Sequence, residues 1–162
     1  MPRVVVAVND TSRGRGALRR AREEADLRGA QLEAVSVYPP AKRDLTDSLA
    51  QLPVGLPSVA GRAPGPTEPA GRDHRERAIE ELTRIVDEEL GEGSAADVRL
   101  VAIAHETTAE ALRQHAEGAD MLVVGLRQRS PVGKLVLGSD SRDIILAAPC
   151  PVLSVKAPDD ES

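Results

Sequence analysis

The chain has 162 residues, a formal net charge of -5, one cysteine, no Phe, no Trp and a single aromatic residue, Tyr38. That length suits one buried core. The acidic balance without a basic run argues against nucleic acid as a partner, and the want of aromatic residues removes the stacking platforms of single-strand binders. One cysteine, Cys150, allows no intrachain disulfide and suits a reducing compartment.

"RVVVAV" (Arg3–Val8) is short, continuous and β-branched, the pattern of a strand buried on both faces in a parallel sheet. The N-terminus runs straight into it with no signal-peptide core, and no apolar run reaches the roughly 18 residues of a membrane span. The expected address is the cytoplasm, with no membrane partner. "NDTS" supplies turn and cap residues. A helix is predicted from about Ser12 to Leu27, ended by Gly29. "QLEAVSVY" (Gln31–Tyr38) is a second strand.

Residues 39–71 are rich in Pro and Gly and lack apolar periodicity, which marks an insertion; "DSLAQL" within it could form a helical turn. Helical spacing resumes at about Asp73, where Ile79, Leu82, Ile85, Val86 and Leu90 share one face. "DVRLVAIA" (Asp97–Ala104) is a third strand. "TTAEALRQHAE" (Thr107–Glu117) is a helix that Thr107 or Thr108 can cap. "DMLVVG" is a fourth strand, "SDSRDIILAA" a helix capped by Ser139, "CPVLSVK" (Cys150–Lys156) a fifth strand, and residues 158–162 an acidic tail. Strands alternating with helices imply a doubly wound α/β fold, a three-layer sandwich with a parallel sheet. Ligands in such sheets bind outside the carboxyl ends of the strands where strand order reverses. That singles out "NDTS" and the stretch after the fourth strand, "VVGLRQRSPVGKLVLGS".

This stretch contains Gly133-Lys134 but is not a P-loop. In that register the first glycine would be Gln128 and the magnesium-binding hydroxyl would be Leu135. Arg127, Arg129 and Lys134 make the loop basic, either a solvated surface or an anion site. His74, His105 and His115 show no metal-ligand spacing. They are expected on solvated helix faces (His74, His115) and at a strand end near the carboxyl edge (His105). Cys150, between two prolines, is expected as a buried small apolar residue. No nucleophile–base pair can be read from spacing, so no catalytic residue and no metal site are assigned.

"VVGLRQRSPVGKLVLGSDSRDIILAAPCPVLSVK" resembles the C-terminal signature of the universal stress protein family. "VVVAVNDTSRGRGALRRA" and "AEALRQHAEGADMLVVG" are similar to other parts of it, while the 39–71 insertion has no match. The resemblance implies one domain over residues 1–157, a five-stranded parallel sheet in the order 3-2-1-4-5, and a homodimer paired through the Cys150–Lys156 strand. It also implies an adenine-nucleotide (ATP) binding or sensing module in the stress response, not itself catalytic and a weak ATPase at most, with magnesium expected only together with nucleotide. The family's loop, G-x2-G-x9-G-[S/T], falls on Gly125, Gln128, Gly138 and Ser139. Glycines would let N–H groups approach phosphate, and Ser139 opens a helix whose N-terminus favours anions. Gln128 departs from the loop pattern. Asn9 stands where the family carries a carboxylate that helps bind adenosine, Thr11 and Gly14 match the small positions after it, and Ala7 and Val37 fall near where adenine packs. Asp140 would repel a triphosphate unless Arg127, Arg129, Lys134 or a metal compensates. The departures at Asn9 and Gln128 keep open the alternative, a nucleotide-free stress or protein-interaction module.

Overall fold

The structure, a computed structural model, describes residues 1–40, 70–127 and 139–157, with only the main chain described at 70–72, 127, 139 and 157. The element order is β1 (Arg3–Ala7), α1 (Ser12–Arg28), β2 (Gln31–Tyr38), α2 (Ala70–Leu90), a 3-10 turn (Ser94–Asp97), β3 (Arg99–Ala104), α3 (Thr108–His115), β4 (Met121–Arg127), α4 (Ser139–Ala147) and β5 (Val152–Ala157). The expected helical turn at "DSLAQL" lies outside the described residues. The strands form one five-stranded sheet in the order β3-β2-β1-β4-β5, every pair parallel. This is the doubly wound arrangement the alternation of elements predicts.

Side-chain alternation along the central strands builds two cores. Val4, Val6, Leu32, Ala34 and Val123 face α1 and α2, where they meet Leu18, Ala21, Leu82, Ile85 and Val86. Val5, Val35, Leu122, Val124 and Leu126 face α3 and α4, where they meet Ala109, Leu112 and Ile144. Val4, Val5 and Val6 have no exposed surface, which is why β1 reads as an unbroken apolar run. Each such side chain contributes about 1.5–3 kcal/mol by leaving water.

Local signals set the helix ends. Thr11 caps α1: its backbone is extended and its Oγ1 accepts the Gly14 N–H at 3.1 Å. Gly29 closes the helix in the left-handed conformation, φ 58°, where a β-carbon is disfavoured. Three sequence expectations shift. β3 begins at Arg99 because residues Ser94–Asp97 form the 3-10 turn, with the Ala95 N–H bonded to the Asp87 carboxylate at 2.9 Å. β5 begins at Val152, beyond Cys150. Thr107 occupies the cap position of α3 without a side-chain bond, and its own N–H donates to His105 Nδ1 at 2.9 Å.

The amino-terminal end of the sheet holds an ion cluster. Glu33 of β2 is 1% exposed. Its carboxylate accepts from Arg3 at 3.2 Å, from Arg99 at 3.3 Å and from the His115 ring N–H at 2.8 Å. Arg3 also donates to the carbonyl of His115, the last residue of α3, and to that of Glu117 just beyond the helix, a cation at a helix C-terminus, where the dipole favours it. His115 is therefore a half-buried bridging residue, not the solvated one the sequence suggested: its ring turns inward because the buried carboxylate needs partners. Cys150 is half-buried rather than buried. Burial pushes its thiol up, with Arg3 acting in the opposite direction.

Candidate functional site

β1 and β4 are neighbours, yet β1 leads by way of α1 to β2 on its other side. Chain connections thus diverge at the carboxyl ends of β1 and β4, and a crevice opens there. A cleft of about 250 Å³ occupies it. Its apolar floor comes from Ala7, Val35, Val37 and Val124 on the sheet face turned toward α3 and α4, with Ile144 of α4 beside them. Asn9, Arg13, Thr108, Asp140 and Ser141 form its polar rim. Ala7, Asn9, Val37, Gly125 and Asp140, all singled out in the sequence, thus line one cleft although they come from β1 and its following turn, β2, β4 and α4. Arg127 and Ser139 are placed by their main chain only, at the end of β4 and the start of α4. Gln128 and Gly138 lie outside the described residues, as do Arg129 and Lys134 of the basic loop.

The turn after β1 is built by hydrogen bonds. Thr11 Oγ1 donates to Asn9 Oδ1 at 2.5 Å while accepting from the Gly14 N–H. Gly14 makes this possible: a β-carbon there would lie 2.2 Å from Asn9 Oδ1 and 2.4 Å from the Asn9 carbonyl oxygen. With Oδ1 accepting from Thr11, the Asn9 amide N–H groups have no hydrogen-bond acceptor among the described residues, and they are donors where a carboxylate would offer only acceptors.

Asp10, next in the chain, is held from two helices. Arg15 of α1 grips one oxygen at 2.8 and 3.0 Å, and Arg84 of α2 grips the other at 3.0 Å. Arg15 and then Arg84 hold the Asp10 carboxyl below the ordinary carboxylate range. Arg15 also binds Glu88 at 2.7 Å and Glu89 at 3.0 Å, so the turn is tied to α2 by alternating charges. Asp140 is exposed in the first turn of α4, where the helix dipole favours a carboxylate without any ligand.

Gly125 has a packing role that its place in the loop motif did not suggest. It pairs with Val155 across β4 and β5, and a β-carbon on it would lie 2.4 Å from the Arg13 carbonyl oxygen. The first turn of α1 thus rests on the backbone of β4. Arg13 and Ser141, unmarked in the sequence, are rim residues that sequence reasoning missed; for Arg13 a signal existed. The available signal was a cation in the first turn of a helix, where the dipole disfavours it.

A larger cleft, about 550 Å³, lies on the opposite face of the sheet between Val8, Ser36, Tyr38 and the α2 residues His74, Arg77 and Leu82. Asn9 and Val37 border both clefts, but Ala7, Gly125 and Asp140 border only the smaller. Among the described residues no group of three or more His, Cys, Asp or Glu side chains could hold a metal ion, and no helix is long and apolar enough to cross a membrane. The smaller cleft joins an apolar floor to a polar rim that carries a cation, Arg13, and a carboxylate, Asp140.

This fold, with a crevice at the carboxyl ends of β1 and β4, defines the doubly wound parallel α/β class. The chain belongs to the universal stress protein family, which matches residues 1–156. A universal stress protein from Thermus aquaticus is 29% identical over 156 residues, 94% of this chain and 97% of its own. One from Mycolicibacterium smegmatis is 55% identical over 38 residues, 24% of this chain and 29% of its own. A solved universal stress protein from Archaeoglobus fulgidus superposes with a TM-score of 0.62 at 26% identity, covering 96% of this chain and 99% of that one. Two further neighbours are complexes: the A. fulgidus protein with dAMP (TM-score 0.59, 22% identity, covering 96% and 98%) and a universal stress protein with cAMP (0.58, 18%, covering 96% and 96%).

Proposed function

We propose that this chain is an adenine-nucleotide binding or sensing module of the stress response, with ATP or another adenine nucleotide in the smaller cleft. The observation that carries the reading is the meeting of Ala7, Asn9, Val37, Gly125 and Asp140, from separate elements, around one cleft with an apolar floor and a polar rim. The floor suits the adenine face, and the Asn9 amide and the α4 start suit sugar and phosphate. That family neighbours were solved with dAMP and cAMP supports the ligand class. The role is binding rather than chemistry, with weak ATPase activity at most and magnesium carried only by a bound nucleotide. The module works in the cytoplasm, as a homodimer paired through the segment Cys150–Lys156, whose half-buried Val152, Leu153 and Val155 lie on β5, one of the two edge strands of the sheet. Calorimetry with ATP and AMP tests the reading: saturable binding near one nucleotide per chain is expected, and silence up to millimolar ligand defeats it.

One observation favours a second reading, a nucleotide-free interaction module. Gly14 and Gly125 are both required by close backbone packing, so their presence needs no phosphate. Native mass spectrometry of protein freshly purified without added nucleotide separates the two, since the first reading expects an adduct of nucleotide mass and the second a bare chain.

A further inference from the structure

We infer that Arg13 is the anion-gripping residue of the smaller cleft, binding a phosphate group of the nucleotide. The inference rests on the nucleotide reading above and adds to it a residue outside the family's glycine loop.

Arg13 stands in the first turn of α1, which contains no acidic residue. A cation there opposes the helix dipole. The neighbouring first-turn cation, Arg15, has that cost offset by Asp10, Glu88 and Glu89. Arg13 has no such compensation: among the described residues its side chain has neither a hydrogen bond nor an ion pair. It is half-buried, not waving in solvent. The other half-buried arginines with described side chains, Arg3, Arg15, Arg22 and Arg113, each bind a carboxylate. A half-buried guanidinium to which no described protein group offers an acceptor departs from the pattern of the other half-buried arginines, and departures of this kind concentrate at functional sites.

Its position gives the missing partner a place. The Arg13 stem starts against Gly125, with Cβ 3.0 Å from where a glycine β-carbon would be, and the residue lines the cleft beside Asp140 and Ser141. A base on the apolar floor of Ala7, Val35, Val37 and Val124 would direct its anionic end to this rim. The planar guanidinium can bind phosphate oxygens in pairs. Its charge would also offset Asp140, the carboxylate that otherwise repels an anion there.

The test is calorimetry of the full chain and its Arg13→Gln and Arg13→Lys variants with two probes, AMP and adenosine, at low and moderate salt. Loss of a charge-assisted contact should weaken AMP binding by Arg13→Gln on the order of 10- to 100-fold, leave adenosine binding within about twofold, and flatten the salt dependence of AMP binding. Arg13→Lys, which keeps the charge, should recover part of the loss. Equal weakening of both probes, or no weakening of AMP, overturns the inference while leaving nucleotide binding standing. A wild-type chain that binds neither probe overturns the inference, and one that binds neither these probes nor ATP defeats the nucleotide reading itself.

Discussion

Gly125 of β4 and Arg13 of α1 touch backbone to backbone: a β-carbon on the glycine would sit 2.4 Å from the Arg13 carbonyl oxygen and 2.7 Å from its carbonyl carbon. Backbone cannot swing aside as a flexible side chain can. Gly125→Ala should push the first turn of α1 away from the sheet and cost about 1–3 kcal/mol. Urea unfolding measures this. An unchanged midpoint would mean that α1 does not rest on Gly125.

Gly14→Ala poses two effects of opposite sign. Alanine in a helix gains up to about 1 kcal/mol over glycine. Here the added carbon would meet Asn9 Oδ1 at 2.2 Å and its carbonyl oxygen at 2.4 Å, so the turn must open and the Thr11–Asn9 bond must break. Net destabilisation of about 1–2 kcal/mol is expected, together with weakened AMP binding. A stabilised variant would show that the turn relaxes freely.

Glu33→Ala should destabilise by about 1–3 kcal/mol, because Arg3 and His115 lose a carboxylate that is itself 1% exposed. The cost stays below that of a fully buried pair because Arg99 is 66% exposed and can return to water. The cluster lies at the end of the sheet opposite the cleft, so AMP affinity should be unchanged. Thermal unfolding with calorimetry reads both, and a loss of affinity without a loss of stability would contradict the assignment.

Acid should unfold the protein in a defined range. Arg113, with Gln114, holds Glu110 down to about 2 from its ordinary 4.5. Arg15 and Arg84 hold Asp10 and Glu88 below their ordinary values, and in Glu89 burial is outweighed by Arg15 and Arg19. A carboxylate depressed in the folded state contributes stability above its unfolded value and loses it as pH falls through the folded one. Stability should therefore fall between pH about 4.5 and about 2. Arg15→Ala/Arg84→Ala should move the acid midpoint, followed by circular dichroism, to higher pH, and added salt should shrink the difference. An acid midpoint identical in the two proteins would show that these pairs carry no weight.

The fold was legible because strands and helices differ in period. The uniformly apolar Val4–Val6 run and the three- and four-residue spacing on α2 each admit one reading, and β2 occupies Gln31–Tyr38 as expected. The cleft was half legible. Asn9, Ala7, Val37, Gly125 and Asp140 follow from the resemblance to the family, but motif spacing cannot show that Gly125 is needed by α1. The Glu33–His115 pair was hidden because it joins residues 82 positions apart, and an isolated Glu in a strand or His in a helix looks solvated. Arg13 was hidden for a related reason: one more arginine in a charged helix is unremarkable until its neighbours are all seen to be paired and it is not.

The most direct measurement is calorimetric titration of the nucleotide-free chain with AMP and with ATP. A saturable isotherm near one nucleotide per chain, weakened by Arg13→Gln, is the predicted result. No heat of binding up to millimolar concentrations of either nucleotide, from protein shown to be folded and nucleotide-free, would contradict the account.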